Sequence, residues 1–321
     1  MSRTSFFALL LLPGMLAAQS PSLAHATLQF DQRNYDAART EFDALAGANP
    51  ADVRPVIYLG RIALNQNDVD EGVHQFERCV EIDEKNADCH MWLGSALGTA
   101  AQRANKLRQP FLARRVKTEF ERSVELDPRN VEARNGLAQF YMLAPGFMGG
   151  SMDKAHEQAA ALEKINPLRG ALVAGMIADH EKDTTAALAA YRRAIAAAPD
   201  SASAYFGLVN FYLRDKRWSE AFATLDRAHS AMPNEPAVLR AVGQVAAISG
   251  EQLPRGETAL KAWLAAPPKD AGVVRIATVH ALLATIYDKM GRKDQGRDEY
   301  GRALALDPKN EAAQKGLAAD R

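Results

Sequence analysis

Four residues of metal-binding type fall close together in the chain: His74, Cys79, Cys89 and His90. Zinc sites draw thiolate and imidazole ligands from closely spaced pairs, C-x-x-C or H-x-x-x-H in style. These four are not paired in that way, and no C-x-x-C-H haem attachment occurs. A second candidate is the glycine-rich stretch Gly146 to Ser151, with Lys154 just beyond it. A phosphate-cradling loop needs Gly-Lys-Ser/Thr in that order, after a strand and at a helix start. Here the order differs and helical sequence precedes the glycines, so the stretch reads as a turn with left-handed glycines. For hydrolysis there is neither a G-x-S-x-G elbow nor an H-E-x-x-H helix. The carboxylates at Asp83-Glu84, Asp127 and Asp307 fall at helix ends and turns, where acids cap or are solvated, and no pair stands out for glycosidic chemistry. The expectation is a protein that is not an enzyme, with no catalytic residue, no cofactor and no metal.

The elements that carry these residues repeat. Prolines return at Pro50, Pro128, Pro167, Pro199, Pro233, Pro268 and Pro308. Twelve residues before each stands a mostly small residue: Ala38, Val116, Ala155, Ala187, Ala221, Gly256, Gly296. Eight before stands a mostly large apolar one: Phe42, Phe120, Ala159, Tyr191, Leu225, Leu260, Tyr300. A period of about 34 residues means one supersecondary unit stacked many times. Between successive prolines the apolar residues fall at helical spacing, with room for two helices. Tyr205, Leu208, Tyr212 and Leu213 mark a first helix. A turn at Asp215-Lys216-Arg217 follows, and Trp218 opens a second helix with Ala221, Leu225 and Ala228. Small residues let two helix backbones approach, and the proline past the second helix stops its propagation.

These residues resemble the tetratricopeptide repeat, a helix-turn-helix of 34 residues with a W-L-G-Y…A-F-A-P pattern. The unit Val53 to Asn86 carries Leu59-Gly60, Ala63, Gly72, Phe76 and Cys79, with Glu84 where proline is usual. The resemblance covers about Thr27 to the C-terminus, and the region of Phe111 to Ser151 is similar to a subset of exported bacterial repeat proteins. It implies an all-α, right-handed α-solenoid of about eight helix-turn-helix units, with Glu311 to Ala319 as a C-terminal capping helix. Three units run long. The third has about ten extra residues around Ala100 to Gln109, including Lys106 and Arg108; the fourth about five in Ala144 to Gly150; the last about six near Ala271 to Ile276. The fifth is short by about two. Insertions in solenoids become loops on one face, often a binding face, and the first two should project side by side.

In this family first helices line a concave groove. Carried onto this chain, the groove positions include Arg54, Ile57, Arg61, Asp88, Met91, Glu132, Asn135, Gln139, Phe206, Asn210, Arg240 and Gln244. Such residues suit an extended peptide, held by hydrogen bonds to its backbone and by burial of one anchor. The lysine–asparagine clamp that some members use for a C-terminal carboxylate is missing, since Phe206, Asn210 and Ala241 supply one of the three residues expected. Chaperone C-terminal tails are therefore not the expected ligand. His74 falls on the outward side of a second helix, while His180 and His280 take inward first-helix positions, where they should be packed.

Composition agrees with a folded scaffold: 47% hydrophobic and 24% charged residues, with 39 Lys plus Arg against 39 Asp plus Glu. A nucleic-acid binder needs a basic excess, so nucleic acid is not the expected partner. At the N-terminus Arg3 precedes an apolar run from Phe6 to Ala18, too short to span a bilayer. It reads as a secretory signal over residues 1–26, ending at Ala24-His25-Ala26, with an alternative end at residue 18 or 19. No twin arginine and no lipoprotein cysteine accompany it. The expected products are a cleaved leader and a solenoid from 27 to 321, periplasmic or secreted, with no membrane span in the mature chain. In that compartment Cys79 and Cys89, at the end of one helix and the start of the next, are either a disulfide or two buried thiols. The function expected is a non-catalytic scaffold holding a peptide or protein in its groove. The alternatives are an assembly subunit of an envelope secretion, pilus or polysaccharide-export machine and, behind it, a cell-wall-acting enzyme.

Overall fold

The structure, a computed structural model, describes residues 22–269 and 271–319. The leader expected over residues 1–26 lies outside them as far as residue 21, as do both alternative cleavage points; residues 23–26 belong to the first helix. Among the described residues there are seventeen α-helices and no strand. The first helices of the units are α1 (Leu23–Asp31), α3 (Val53–Asn65), α5 (Ala87–Arg103), α7 (Val131–Leu143), α9 (Pro167–His180), α11 (Ala202–Arg214), α13 (Pro236–Ser249) and α15 (Val273–Lys289). Their partners are α2 (Tyr35–Ala48), α4 (Val69–Ile82), α6 (Gln109–Leu126), α8 (Met152–Ile165), α10 (Thr184–Ala197), α12 (Trp218–Ala231), α14 (Leu253–Ala265) and α16 (Lys293–Leu306). The cap α17 (Glu311–Ala319) packs against α15 and α16. Eight pairs and a cap make an α-solenoid in which each pair meets chiefly its neighbours.

The turn between units has a local cause. At Asp127 to Asn130, Asp127 Oδ1 accepts from Arg129 N (2.9 Å) and Asn130 Oδ1 then caps α7 by accepting from Ala133 N (2.9 Å). The same pair of bonds recurs at Asp307 to Asn310. Where Glu84 replaces proline the arrangement survives: Asp83 Oδ1 accepts from Lys85 N (3.1 Å) and Asn86 caps α5 through Asp88 N and Cys89 N. The aspartate, not the proline, closes this turn. A side chain six residues on then pins the carbonyl at the proline position: His90 on Glu84, Arg134 on Pro128, Tyr205 on Pro199 and Gln314 on Pro308. The fifth unit is short because Asn166 ends α8 and caps α9 at once, with Pro167 as the first helical residue.

Within units, small residues on first helices admit large ones from second helices. A Cβ on Gly60 would stand 2.6 Å from the Phe76 ring and one on Gly94 3.0 Å from the Phe120 ring, and across the unit boundary one on Gly136 would overlap the same Phe120 ring. In the regular units the intra-unit turn passes through a left-handed residue, as at Arg33, Asn67, Lys182 and Lys216. The third unit differs. The extra residues expected as a loop at Ala100 to Gln109 instead lengthen both helices, α5 to 17 residues and α6 to 18. Ala100, Ala101, Gln102 and Arg103 are good helix formers and Pro110 sits in the first turn of α6, so continuing the hairpin satisfies more backbone than a loop would. Only Ala104 to Arg108 connect them, and Asn105 Oδ1 accepts from Leu107 N and Arg108 N at 3.1 Å each. Likewise the extra residues before the last unit largely extend α15 to 17 residues. The fourth-unit insertion is a loop with one 3-10 turn, Gly146–Met148, and a left-handed Gly149.

Candidate functional site

The longer third-unit hairpin reaches past the end of α7, and the loop after α7 folds back over the space so made. The result is a cavity of about 560 Å³ bounded by α5, α6, α7 and Leu143 to Met148. Buried Met91, Val116, Phe120 and Phe140 form its floor. Ser95, Thr99, Gln102, Gln109, Asn135 and Gln139 bring amides and hydroxyls to it. Gly98 keeps it open: a Cβ there would meet nothing within 4 Å. Gln139 Nε2 donates to Asn135 Oδ1 (3.2 Å), which leaves further donors and acceptors of both amides for a ligand. Glu132 is the one ionisable lining residue, and Arg169 Nη2 donates to its Oε1 at 2.9 Å. The site is thus a mostly apolar socket with a polar margin that carries one ion-paired carboxylate, suited to burying a side chain and pairing the peptide groups beside it.

The loop over the cavity is held at its base by Tyr141. Its carbonyl accepts from Ser151 N (2.9 Å) and its hydroxyl donates to Glu121 Oε1 (2.7 Å). Burial, reinforced by Glu121, pushes the ionisation of this phenol far up, so it stays a donor. Trp92, at the other margin, stacks on Phe76 with centroids 5.7 Å apart.

Of the groove residues expected from the sequence, the structure brings Met91, Glu132, Asn135 and Gln139 together in this cavity, with Met91 buried in its floor. The others lie elsewhere. Arg54 is turned onto Asp52, the cap of α3, with Nη2 to Oδ2 at 2.7 Å; the hydrogen bonds of that pair hold the Asp52 carboxyl below its usual range. Arg61 is sandwiched among the rings of Phe30, Tyr58 and Trp92, 4.5, 4.7 and 5.3 Å from their centroids, and so ties the first three units together. Ile57 and Phe206 are half-buried against the core. Asn210 is exposed, and half-buried Arg240 donates to Gln244 Oε1 at 3.4 Å. Burial lowers the Arg240 pKa and neighbouring Arg275 lowers it further. Cys79 and Cys89 are bridged across the turn from α4 to α5, with Cα atoms 5.5 Å apart. His74 is exposed. His180, expected to be packed, is also exposed, because it is the last residue of α9 and follows the final buried turn. His280 is half-buried, its Nδ1 2.5 Å from Glu299 Oε2. Trp92, Gln102, Phe140, Leu143 and Met148 were not singled out from the sequence. The two adjacent insertions were the signal that would have found them.

Family profiles described as tetratricopeptide repeat match residues 23–87, 180–245 and 277–310. The matched spans flank the cavity region without entering residues 88–179. Cellulose synthase operon protein C of Pseudomonas fluorescens (strain SBW25) is 41% identical over 76 residues, 24% of this chain and 6% of its own length. Its namesake from Xanthomonas axonopodis pv. citri (strain 306) is 34% identical over 131 residues, 39% of this chain and 8% of its own. The chain therefore spans less than a tenth of the length of these curated relatives. Among solved structures, a thermophilic TPR protein of Thermus thermophilus superposes with a TM-score of 0.52 at 19% identity, covering 61% of this chain and all of that one.

Proposed function

Since this chain is a tetratricopeptide repeat protein, we propose that it is a non-catalytic scaffold of the bacterial periplasm that holds an extended peptide or protein segment along its concave face. The observation that carries this reading is the cavity of about 560 Å³ between the third and fourth units. It would seat one bulky apolar side chain, while Asn135 and Gln139 pair with the segment's backbone. A non-catalytic role is supported by the lining, whose one ionisable group is already paired with Arg169, so no poised acid or base faces the space.

Gly98→Leu tests the site directly. The new side chain enters open space, so the fold should gain about 0.5–1 kcal/mol from the loss of a mid-helix glycine while the cavity fills. Crosslinked pull-down from periplasm should then lose a partner that the wild type retains. An unchanged partner profile in a folded Gly98→Leu protein overturns the reading.

A second reading is an assembly subunit of a polysaccharide-export machine. It is favoured by the similarity to two proteins named cellulose synthase operon protein C. Co-purification with a large envelope complex, rather than with a free peptide, would select it.

A further inference from the structure

The four most exposed large apolar residues among the described ones do not scatter over the surface. Leu107 and Phe147 are each 83% exposed, Phe111 74% and Leu143 62%. All four belong to the tips of two neighbouring units: the α5–α6 hairpin and the loop after α7. The tips lie side by side, since both border the same cavity and a Cβ on Gly149 would stand 3.3 Å from the Lys117 side chain. Folding buries apolar groups wherever a neighbour can cover them, so a cluster left in water on an otherwise well-packed solenoid marks a surface with an external partner.

Along the chain the charge of this cluster is one-sided, while in space Arg115 pairs with Glu77, Lys117 with Glu121, and Asp68 and Asp70 border one pocket with Arg103 and Arg108. The chain as a whole is neutral, yet no acidic residue occurs between Asp88 and Glu119, a stretch that contains Arg103, Lys106, Arg108, Arg114, Arg115 and Lys117. No acid occurs between Glu132 and Asp153 either. In the regular units the corresponding turns carry Asn67-Asp68, Lys182-Asp183 or Asp215-Lys216, polar and containing an acid. Lys106 and Arg108 bracket Leu107 at the hairpin tip, and all three are exposed. Asn105 Oδ1 fixes the turn that presents them.

We propose that these tips form a peripheral docking surface for an anionic phospholipid membrane. Leu107, Phe111 and Phe147 would enter the headgroup boundary, and Lys106, Arg108 and Arg114 would lie over the phosphates. Apolar side chains projecting beside basic ones are the combination that interfacial binding requires, since one part gains from leaving water and the other from the negative surface. No helix among the described residues is long and apolar enough to cross a membrane, so the association is with one surface.

Sedimentation of the full chain with vesicles tests this. Phosphatidylcholine vesicles containing about a third phosphatidylglycerol should bind at least about tenfold more tightly than phosphatidylcholine alone, and raised salt should weaken the difference. Leu107→Ser with Phe111→Ser and Phe147→Ser should weaken binding by about tenfold or more, and Lys106→Glu with Arg108→Glu should remove the preference for phosphatidylglycerol. All five side chains are exposed, so unfolding midpoints should stay at the wild-type value. Every variant keeps the same N-terminus, so any contribution of the apolar residues Phe6 to Ala18 cancels. Equal binding of both vesicle types by the wild type, or wild-type binding by the folded triple variant, overturns the proposal. So does the absence of vesicle binding together with loss of a crosslinked envelope protein from the tip variants, which would make the surface a protein dock.

Discussion

The sixth unit and the third unit start from the same repeat and end differently. In the sixth, α11 and α12 meet through a three-residue turn with a left-handed Lys216, and Tyr205, Leu208, Phe211, Phe222 and Leu225 are buried in one continuous core. In the third, both helices run on beyond the end of their neighbour, and the added residues have nothing of equal length to pack against. The cavity and the exposed Leu107 and Phe111 are the consequence. A solenoid unit is satisfied by its neighbours only over the length they share. Function can be written into the overhang without disturbing the stack.

The sharpest way to break that contrast is by truncation. Leu225→Ala, at a fully buried site of the regular unit, should cost about 2–5 kcal/mol in urea unfolding. Phe111→Ala, a larger truncation on the overhang, should change stability by less than about 0.5 kcal/mol. Comparable losses from the two would mean that the tip is packed in solution. Next in size is the disulfide, which stands just before the overhang and has no counterpart at the equivalent turn of the third unit, Asp127 to Asn130. Its sequence separation is 10, so removing it with Cys79→Ala and Cys89→Ala should lower stability by about 2–3 kcal/mol on the chain-entropy account. A reductant-insensitive unfolding midpoint would show that the aspartate and asparagine bonds suffice there, as they do at Asp127.

The smallest effect concerns the regular end. Glu257 of α14 accepts from Lys261 Nζ (2.7 Å) and from Arg292 Nη1 (2.5 Å) in the next unit. Burial disfavours its charge, but these two hydrogen bonds prevail and hold the carboxyl below its ordinary value. The stability it contributes is therefore present above the unfolded-state pKa and is lost as pH falls through the folded one. Acid unfolding of Glu257→Gln should lack that increment, by a midpoint shift smaller than that of the disulfide variant.

Much of the architecture was legible in advance because it is periodic. The spacing of Ala221, Leu225 and Pro233 recurs in register, and each recurrence is the same two helices. The overhang was legible only as a location. Counting residues marked Ala100 to Gln109 as extra, but expected a loop. Helix propensity at Ala100, Ala101 and Gln102, with Pro110 starting α6, decided otherwise. Met91, Asn135 and Gln139 hold the expected groove positions of their own units. That they share one cavity with Trp92 and Met148 depends on how far α5 outruns α7, which no single unit contains.

By itself the sequence determined the unit and its repetition, since helix periodicity, small-residue spacing and the aspartate–asparagine turn are local properties of the chain. The tertiary structure decided which residues face a common space and which face water. Those outcomes depend on the relative lengths of neighbouring helices, and a length difference acts only once the helices are side by side.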